Sequence, residues 1–522
     1  MGSESHPIDM KQDSSHVENV NVDDLEAVHV TKSKVTVSGT VKLTEGKVVY
    51  IPTPTADPRD PLNMKMWQKA MVLVTISLFS TIGLALVSGF GGLLGFYIPG
   101  YAAVGKGYDD ITHLMTYPTL FMGIGNLIGM PLGIAVGRRI VLLGATVIMV
   151  ASAGLCAGAK TYEWHLGGRI VLGLAAGQSE ALVPMITQEI FFLHERSRWL
   201  MVQQSIQTIA TAVFVLFAGP IAGAITPEWW YGLGACLSGL CFMLAIFFVP
   251  ETKYDRPSSS FQEAESDDTE TSEDGKTLTV CTERPELDFV NFEQRTWKSD
   301  LRLWIGKPEW NKLSEILLQT FGLLLFPNVL WAMCLNGLTI GVNIAIGTTY
   351  GTIVTSPPYN WPQTSASYIN AGQIATSLVA LPLLGHGSDK LITYVAKKRG
   401  GIHEPEIRII PLIFPIIVGI FTAVLYGQGA AHPTQYHWFV YAWAVARAGP
   451  LLVIICAFRG IISFGVSYGI SPFIEKNGYD GAFGTFGGLT GALGLLGIPI
   501  YIWGKQIRRI TGRYCMDKEK GE

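Results

Sequence analysis

Charged side chains are scarce in this chain. Asp, Glu, Lys and Arg make up 15% of its 522 residues, whereas soluble proteins carry about a quarter. The acidic residues are also unevenly placed, since 26 of the 41 lie before residue 69 or between residues 251 and 315. With a net charge of −3 and no sustained basic face, nucleic acid is excluded as a partner. Hydrophobic residues make up 49% of the chain, and together with so few charged residues this argues against an ordinary soluble fold.

Motifs for metal, cofactor or nucleotide chemistry are missing too. The seven cysteines form no Cys-x-x-Cys pair, and the ten histidines show no spacing typical of metal ligands. The full Walker phosphate-binding pattern does not occur, so ATP hydrolysis is not expected to power this protein. No nucleophile and base stand in a recognisable constellation. We therefore expect neither an enzyme nor a protein with a cofactor or metal site.

Long apolar stretches recur along the chain, each able to cross a hydrocarbon core of roughly 30 Å at 1.5 Å per residue. They predict an all-α polytopic membrane protein. The spans of the first half are predicted at Ala70–Ile98, Thr112–Val136, Ile140–Gly158, Trp164–Phe192, Leu200–Ile225 and Trp229–Val249. Those of the second half are predicted at Asn328–Tyr350, Ser365–Leu384, Ile409–Gly427 and Ala482–Trp503.

The stretch from Trp438 to Ile474 does not fit this series. Its 37 residues would make about 55 Å of helix, and Arg447 and Arg459 interrupt it. Two spans need roughly 20 residues each and a turn. Either two compressed helices occupy this stretch, or part of span ten is missing from the sequence, and we favour the second interpretation.

Composition divides the chain into five regions. They are a disordered cytoplasmic tail (1–68), a six-span bundle (69–250), an acidic cytoplasmic linker (251–320), a bundle of five or six spans (321–504) and a cytoplasmic tail (505–522). Apolar residues near 295–307 share one helical face, which predicts an interfacial helix, the alternative being a soluble packing helix. Lys and Arg concentrate in loops on one side, so both termini are expected in the cytoplasm.

Glu180 is an acid near the middle of the fourth predicted span. A charge at mid-membrane costs about 2.5–3.5 kcal/mol on insertion scales. Arg169 lies eleven residues earlier, on nearly the same helical face, and Gly173 and Gly177 between them permit close helix approach or room for a ligand. We interpret Glu180 and Arg169 as a site of proton coupling or cation binding. The alternative is a structural acid paired within the bundle.

Amides and hydroxyls form stripes at helical spacing on three further spans. These candidate cavity-lining residues are Gln204, Gln207 and Thr211 on span five, Asn336 and Asn343 on span seven, and Asn370 and Gln373 on span eight. Each stripe alone could be a hydrogen-bonded helix contact. Three stripes on different spans favour a shared aqueous cavity.

Two short loop motifs stand at corresponding places in the two halves, Gly137-Arg138-Arg139 after span two and Gly385-His386-Gly387-Ser388-Asp389 after span eight. A third motif, Gly219-Pro220-x-x-Gly223, lies in span five. Further motifs are Asp57-Pro58-Arg59-Asp60-Pro61-Leu62-Asn63, Pro250-Glu251-Thr252 and His403-Glu404-Pro405-Glu406. Together with six spans, a linker and a second set of spans, they resemble the major facilitator superfamily, in particular the fungal branch of its 12-span drug:proton antiporters. The resemblance runs from about Pro52 to Gly512, with Ile134 standing where the family carries an acid.

The resemblance implies two pseudo-symmetric six-helix bundles that rock around a central site. It implies a monomeric plasma-membrane protein that contacts lipid and moves protons and a small organic solute. In this interpretation Glu180 couples to protons, Gly219, Pro220 and Gly223 form the antiporter motif, and six residues form the inner gating loops. Those six are Gly137, Arg138, Arg139, Gly385, Gly387 and Asp389.

Three functions remain open at this point. Export of a metabolite, toxin or drug is the first, because of the fifth-span Gly-Pro motif. Proton-coupled uptake of polyamines or other organic cations is the second, because an intramembrane glutamate suits a cation. The third is a non-transporting receptor that binds partners through its acidic linker.

Overall fold

A computed structural model describes most of the chain. The described residues are 41–42, 52, 55–254, 287–292, 294–303, 308–323, 326–375, 377–378, 387, 390–391, 394–395, 398, 402–403, 405–433, 456–504 and 506–507. In this part of the chain, nine helical stretches are long and apolar enough to cross a membrane. The one sheet found there is an antiparallel pair of two-residue strands, β1 (Val41–Lys42) and β2 (Ile402–His403).

The first half contains the six spans that the sequence predicts. The first span combines α1 (Met66–Ser88) with α2 (Phe90–Ala102), and the fifth combines α6 (Leu193–Leu216) with α7 (Ala218–Ala224). The other spans are α3 (Tyr108–Ala135), α4 (Arg138–Ala157), α5 (Tyr162–Ile190) and α8 (Glu228–Phe248). The breaks in the two composite spans fall at Gly89 and Phe217.

The chain is already folded before α1 begins. Asp60 accepts a hydrogen bond of 2.9 Å from the Leu62 backbone and so caps a short 3₁₀ helix at Pro61–Asn63. Asp60 and Leu62 are fully buried, and the Lys69 ammonium donates to the Leu62 carbonyl at 3.0 Å. The prediction of a disordered tail up to residue 68 is therefore wrong for residues 55–68, because local side-chain hydrogen bonds and burial order them.

The described part of the linker contains two helices, α9 (Trp297–Asp300) and α10 (Trp310–Leu323), the second of which extends past its end. The predicted helix over 295–307 is wrong in extent. Its helical part ends at Asp300, residues 301–303 form a turn and a bend, and residues 304–307 lie outside the described part. The longer amphipathic helix is α10, with Trp310, Leu318 and Phe321 exposed and Leu313, Ile316 and Leu317 half-buried.

The second half is described in part. It contains α11 (Pro327–Thr355), a 3₁₀ helix at Gln363–Asn370 that runs on as helix through 371–375, and a 3₁₀ helix at Pro405–Leu412. Then follow α12 (Ile413–Ala431), α13 (Cys456–Tyr468) and α14 (Ile470–Leu495).

Gly478 interrupts α14 with a φ of +73°, a backbone conformation that a glycine adopts without strain. Helix α13 and the part of α14 before this break follow each other from Cys456 and are separated at Gly469. The second part of the stretch from Trp438 to Ile474 is therefore helical. The remaining question about span ten falls on residues 434–455, which lie outside the described residues.

The halves meet along a surface of close backbone contacts, which we call the glycine seam. A Cβ added at Gly91 of α2 would lie 2.5 Å from the Gly347 carbonyl of α11, and one at Gly92 would lie 3.1 Å from Ser367 Cβ. The Tyr108 hydroxyl at the start of α3 also donates to the Thr348 carbonyl at 3.1 Å. Small residues allow this approach, which brings the ends of α2, α3 and α7 against α11 and the 3₁₀ helix.

Candidate functional site

Glu180 lies on α5 where that helix packs most closely on α3. Gly177 sits one turn earlier, and a Cβ added there would overlap the Met122 carbonyl of α3. The contact brings Asn126 of α3 beside the acid, and its Nδ2 donates to Glu180 Oε2 at 3.3 Å. Asn126 is 2% exposed and Glu180 is half-buried. A carboxyl group inside a membrane span is thus held by an amide, with part of its surface accessible.

Arg169 lies on the same helix but is occupied by other partners. Its guanidinium is fully buried and donates to the backbone carbonyls of Leu114, Leu86 (3.2 Å) and Val87 (2.9 Å). Eleven residues of helix place Arg169 about 16 Å along the axis from Glu180. These contacts tie α5 to α1 and α3, and electrostatic partnership with Glu180 stays a prediction.

Arg169 also begins a buried network that the sequence analysis missed. Its Nη1 donates to the Tyr231 hydroxyl at 2.6 Å, and that hydroxyl lies 3.1 Å from His165 Nε2. The other ring nitrogen, Nδ1, lies 2.9 Å from the Tyr101 hydroxyl. Because Arg169 donates to Tyr231, the phenol proton can go to Nε2, which leaves Nδ1–H to donate to Tyr101. His165 is 1% exposed, and only its spacing of four residues from Arg169 signalled the contact.

The polar stripes lie inside the helical bundle to different degrees. Gln207, Asn336 and Asn370 are buried, whereas Gln204, Thr211, Asn343 and Gln373 are half-buried. Gln207 accepts from Gln203 Nε2 at 2.8 Å, and Asn370 Nδ2 donates to the Ser367 carbonyl at 3.0 Å. Several of these groups therefore bond to neighbouring residues, and their role as a cavity lining remains a prediction.

The Gly-Pro motif of span five lies in the glycine seam. A Cβ added at Gly219 would lie 2.5 Å from the Thr364 carbonyl, and one at Gly223 would overlap the Thr364 side chain. The Gly219 N–H also donates to Ser367 Oγ at 3.2 Å, and Ser367 Oγ donates to the Leu216 carbonyl at 2.9 Å. With Pro220, these glycines form the surface on which the first helical turns of span eight rest.

The loop between α3 and α4 is held by two acids, Glu189 of α5 and Glu251 just after α8. Gly137 has a φ of +142°, and a Cβ there would overlap the Glu251 carboxylate. Glu251 accepts from the backbone N–H groups of Arg138 at 2.9 Å and Arg139 at 3.2 Å, so it caps the positive end of α4. Arg138 also pairs with Glu189 at 2.6 Å. The sequence lacks an acid at position 134, but Glu189 and Glu251 provide two at this loop.

Arg139 joins this loop to the linker. Its guanidinium donates to the Ile246 carbonyl at 2.7 Å and to the carbonyls of Asp300 and Arg302. Lys253 pairs with Glu309 at 3.3 Å in the same region. The linker is therefore anchored to the first half. Of the corresponding second-half motif, Gly387 is described as helical, whereas Gly385 and Asp389 lie outside the described residues.

Comparison with known proteins identifies the family. Residues 80–449 match the family model described as Major Facilitator Superfamily. The chain belongs to the major facilitator superfamily. An MFS-type transporter of Schizosaccharomyces pombe is 24% identical over 90% of this chain and 89% of its own length. An MFS-type efflux transporter of Pyricularia grisea is 26% identical over 113 residues, which are 22% of this chain and 20% of that protein.

This chain is similar in fold to a solved transporter structure. The xylose transporter XylE from E. coli, in a partially occluded inward open conformation, aligns with a TM-score of 0.54 over 82% of this chain and 98% of XylE. At 13% identity this likeness concerns the fold alone. The predicted all-α membrane fold of the major facilitator superfamily is confirmed. The chain is a multi-pass membrane transporter of small solutes and not an enzyme, which removes the receptor alternative.

Proposed function

We propose that this transporter is a proton-coupled secondary carrier in which Glu180 binds and releases the proton. The observation that carries the proposal is a half-buried carboxyl group within a span, next to the Asn126 amide. Burying an acid at this depth costs much free energy when it is a carboxylate and far less when it is protonated. Its protonation therefore changes the free energy of each conformation that buries it. A group with this property can make the balance between two conformations depend on the proton gradient.

The conformational change would be a rocking of the two halves about the central site. The glycine seam closes one end by backbone contact, with Gly91 against Gly347 and Gly219 against Thr364. The loop at the other end of α3 is bonded to α5 and to the residues after α8, through Arg138 with Glu189 and Glu251. In this proposal the first half moves as a unit while the seam separates at one end. In this proposal the protein is a monomer in the plasma membrane, with both termini in the cytoplasm.

Export of a small organic molecule, such as a secondary metabolite, toxin or drug, is the direction that we favour. The Gly219-Pro220 motif supports it through the resemblance to drug:proton antiporters, and the local likeness to an efflux transporter points the same way. Uptake of polyamines or other organic cations is the second candidate, because the Glu180 carboxylate suits a positive solute. Loss of an exporter sensitises cells to its solute, whereas loss of an importer protects or starves them.

The proposal is tested by replacing Glu180 with glutamine in proteoliposomes under an imposed proton gradient. Two probes are followed, ethidium as a fluorescent organic cation and radiolabelled spermidine. Whichever probe the wild type accumulates, we expect Glu180→Gln to lose gradient-driven accumulation by tenfold or more, because an amide cannot exchange the coupled proton. The measurement is the initial rate with the gradient minus the rate without it.

Glu163→Gln is the matched control on the same helix. Glu163 lies at the exposed start of α5, where it pairs with Lys106 at 3.1 Å. We expect this variant to transport like the wild type. Normal gradient-driven flux in well-folded Glu180→Gln protein would refute the assignment of the coupling acid.

A further inference from the structure

The Asn126 side-chain amide uses its hydrogen-bond donor but not its acceptor. Its Nδ2 donates to Glu180 at 3.3 Å. Its Oδ1 is buried and has no hydrogen-bond partner among the residues that the structure describes. Buried polar atoms are nearly always paired, so an unpaired amide oxygen beside an acid calls for an explanation.

The chemistry of the two groups offers one. A carboxylate only accepts hydrogen bonds, whereas a carboxylic acid has an O–H to donate. An asparagine carries both a donor and an acceptor on one amide. By turning over, it can donate Nδ2–H to the carboxylate or accept the O–H of the acid at Oδ1. The structure corresponds to the first arrangement, in which Oδ1 is left over.

We propose that Asn126 is the positioning residue for proton coupling, because it can hydrogen-bond Glu180 in both protonation states. The inference rests on the proposed function of Glu180. The incoming proton binds a carboxylate oxygen of Glu180 and later leaves from it, so Asn126 itself gains and loses no proton. Its role is to keep the side chain of Glu180 in place while the charge changes.

Close packing of α3 on α5 makes this pairing possible. A Cβ added at Gly177 would lie 3.1 Å from the Asn126 backbone nitrogen, and one at Gly125 would overlap the Leu174 carbonyl. With larger residues at these places the helices would separate, and a short Asn side chain could not reach Glu180. Asn126 lies at the level of the carboxyl group itself.

Ionisable groups on the helices packed against α5 lie toward the helix ends. They include Lys69 on α1, Tyr117 on α3, Arg139 on α4 and Glu195 on α6, with Arg169 and Glu189 on α5 itself. Tyr117 and Glu189 are nine residues from Asn126 and Glu180 respectively, about 13 Å along the axis. Asn126 contacts Glu180 directly, so its removal should change the titration locally.

The test is an infrared titration of the purified full-length protein, which needs no solute. A protonated carboxyl group gives its own C=O band, and the band of Glu180 is the one that Glu180→Gln removes. We expect Asn126→Leu, which keeps the side-chain shape, to move the midpoint of this band upward by about one pH unit. The reason is that the charged form loses a donor, and bonds to charged groups are the stronger ones.

Gln178→Leu is the matched control. Gln178 is another buried amide between α5 and α3, and its Nε2 donates to the Gly125 carbonyl at 2.6 Å. Its loss should change stability but leave the Glu180 band midpoint in place. If Asn126→Leu does not fold, Asn126→Asp is used, which sets a second carboxyl group beside the first and should raise the midpoint further.

The outcomes separate the two ideas. A wild-type midpoint in the folded Asn126 variant overturns the positioning role, and if Glu180→Gln still loses driven flux, the proposed function stands. A shifted midpoint together with normal driven flux in Glu180→Gln supports the contact but refutes coupling through it. A shift in both the Gln178 and Asn126 variants means that general loosening of the helix pair is responsible, which also overturns the specific role.

Discussion

Arg169 is a fully buried cation that is stabilised by geometry more than by an opposite charge. Its three nitrogens donate to three backbone carbonyls and to Tyr231, and its guanidinium lies 4.4 Å from the centre of the Phe90 ring. A planar guanidinium can reach these acceptors at once because its donors point in fixed directions. Carbonyl groups left over at the kink between α1 and α2 are satisfied in the same way.

Lysine keeps the charge at this position but not the set of donors. We expect Arg169→Lys to lower the free energy of unfolding by about 3–5 kcal/mol, because several buried acceptors lose their donor at about 1–3 kcal/mol each. The measurement is thermal unfolding in detergent, followed by intrinsic fluorescence. Lys106→Ala is the control, since Lys106 pairs with Glu163 at the protein surface, and it should unfold like the wild type. If Arg169→Lys were as stable as the wild type, the several hydrogen bonds of the guanidinium would not be important for stability.

At the scale of elements, the pair α3 and α5 depends on glycines in both helices. Gly125 and Gly129 of α3 face Leu174 and Gln178, and Gly177 of α5 faces the Met122 carbonyl. Inside a bilayer the surrounding lipid is as apolar as the side chains, so helices associate through close packing and not through burial from water. The glycines therefore determine both the spacing of the helices and the access of Asn126 to Glu180.

A leucine at Gly177 should force the two helices apart. An added Cβ there meets backbone, which cannot rotate away as a side chain can. We expect Gly177→Leu to lose about 3 kcal/mol or more of stability, the upper range of overpacking, or to aggregate during purification. Gly144→Leu on α4 is the control, because nothing lies within 4 Å of its Cβ position. Unfolding temperatures in detergent and elution on size exclusion compare the two, and equal behaviour would contradict close packing as the cause.

At the scale of the whole molecule, the glycine seam holds the two halves together at one end. Its hydrogen bonds join Tyr108 to the Thr348 carbonyl and Gly219 to Ser367. Two aromatic contacts extend it, His113 stacked on Tyr468 at 5.2 Å and Tyr117 edge-on to Phe464 at 5.5 Å. Such a surface bonds well when closed and can be solvated when open, which suits a gate.

Gly91→Ala should therefore favour the open seam. Its methyl group would lie 2.5 Å from the Gly347 carbonyl when the halves are together. We expect a cysteine placed at Thr348, which is 1% exposed in the closed seam, to react with a soluble maleimide at least several times faster in Gly91→Ala. The background carries no other cysteine. Gly100→Ala, also in α2, meets no atom within 4 Å and should leave the labelling rate unchanged.

Much of the fold could be predicted from the sequence. The six spans of the first half were predicted within a few residues because twenty apolar residues in a row have one stable use, a helix across a bilayer. Close helix approach at Gly173 and Gly177 was predicted, and both glycines face backbone carbonyls of α3. The prediction of order was weaker near 55–68 and 295–307, because polar segments of similar composition differ only in which partners they find.

The sequence by itself determined the class of molecule, since scarcity of charge and repeated apolar runs permit no other solution than a helical bundle in lipid. Tertiary structure alone decided which polar groups meet. It placed Arg169 in contact with backbone carbonyls and with the buried network of Tyr231 and His165. It also placed Asn126 beside Glu180. It also brought Glu189 and Glu251 to the loop that lacks its own acid. The physical reason is that helical periodicity fixes the face of a residue, whereas the neighbouring helix and its register depend on packing of the whole chain.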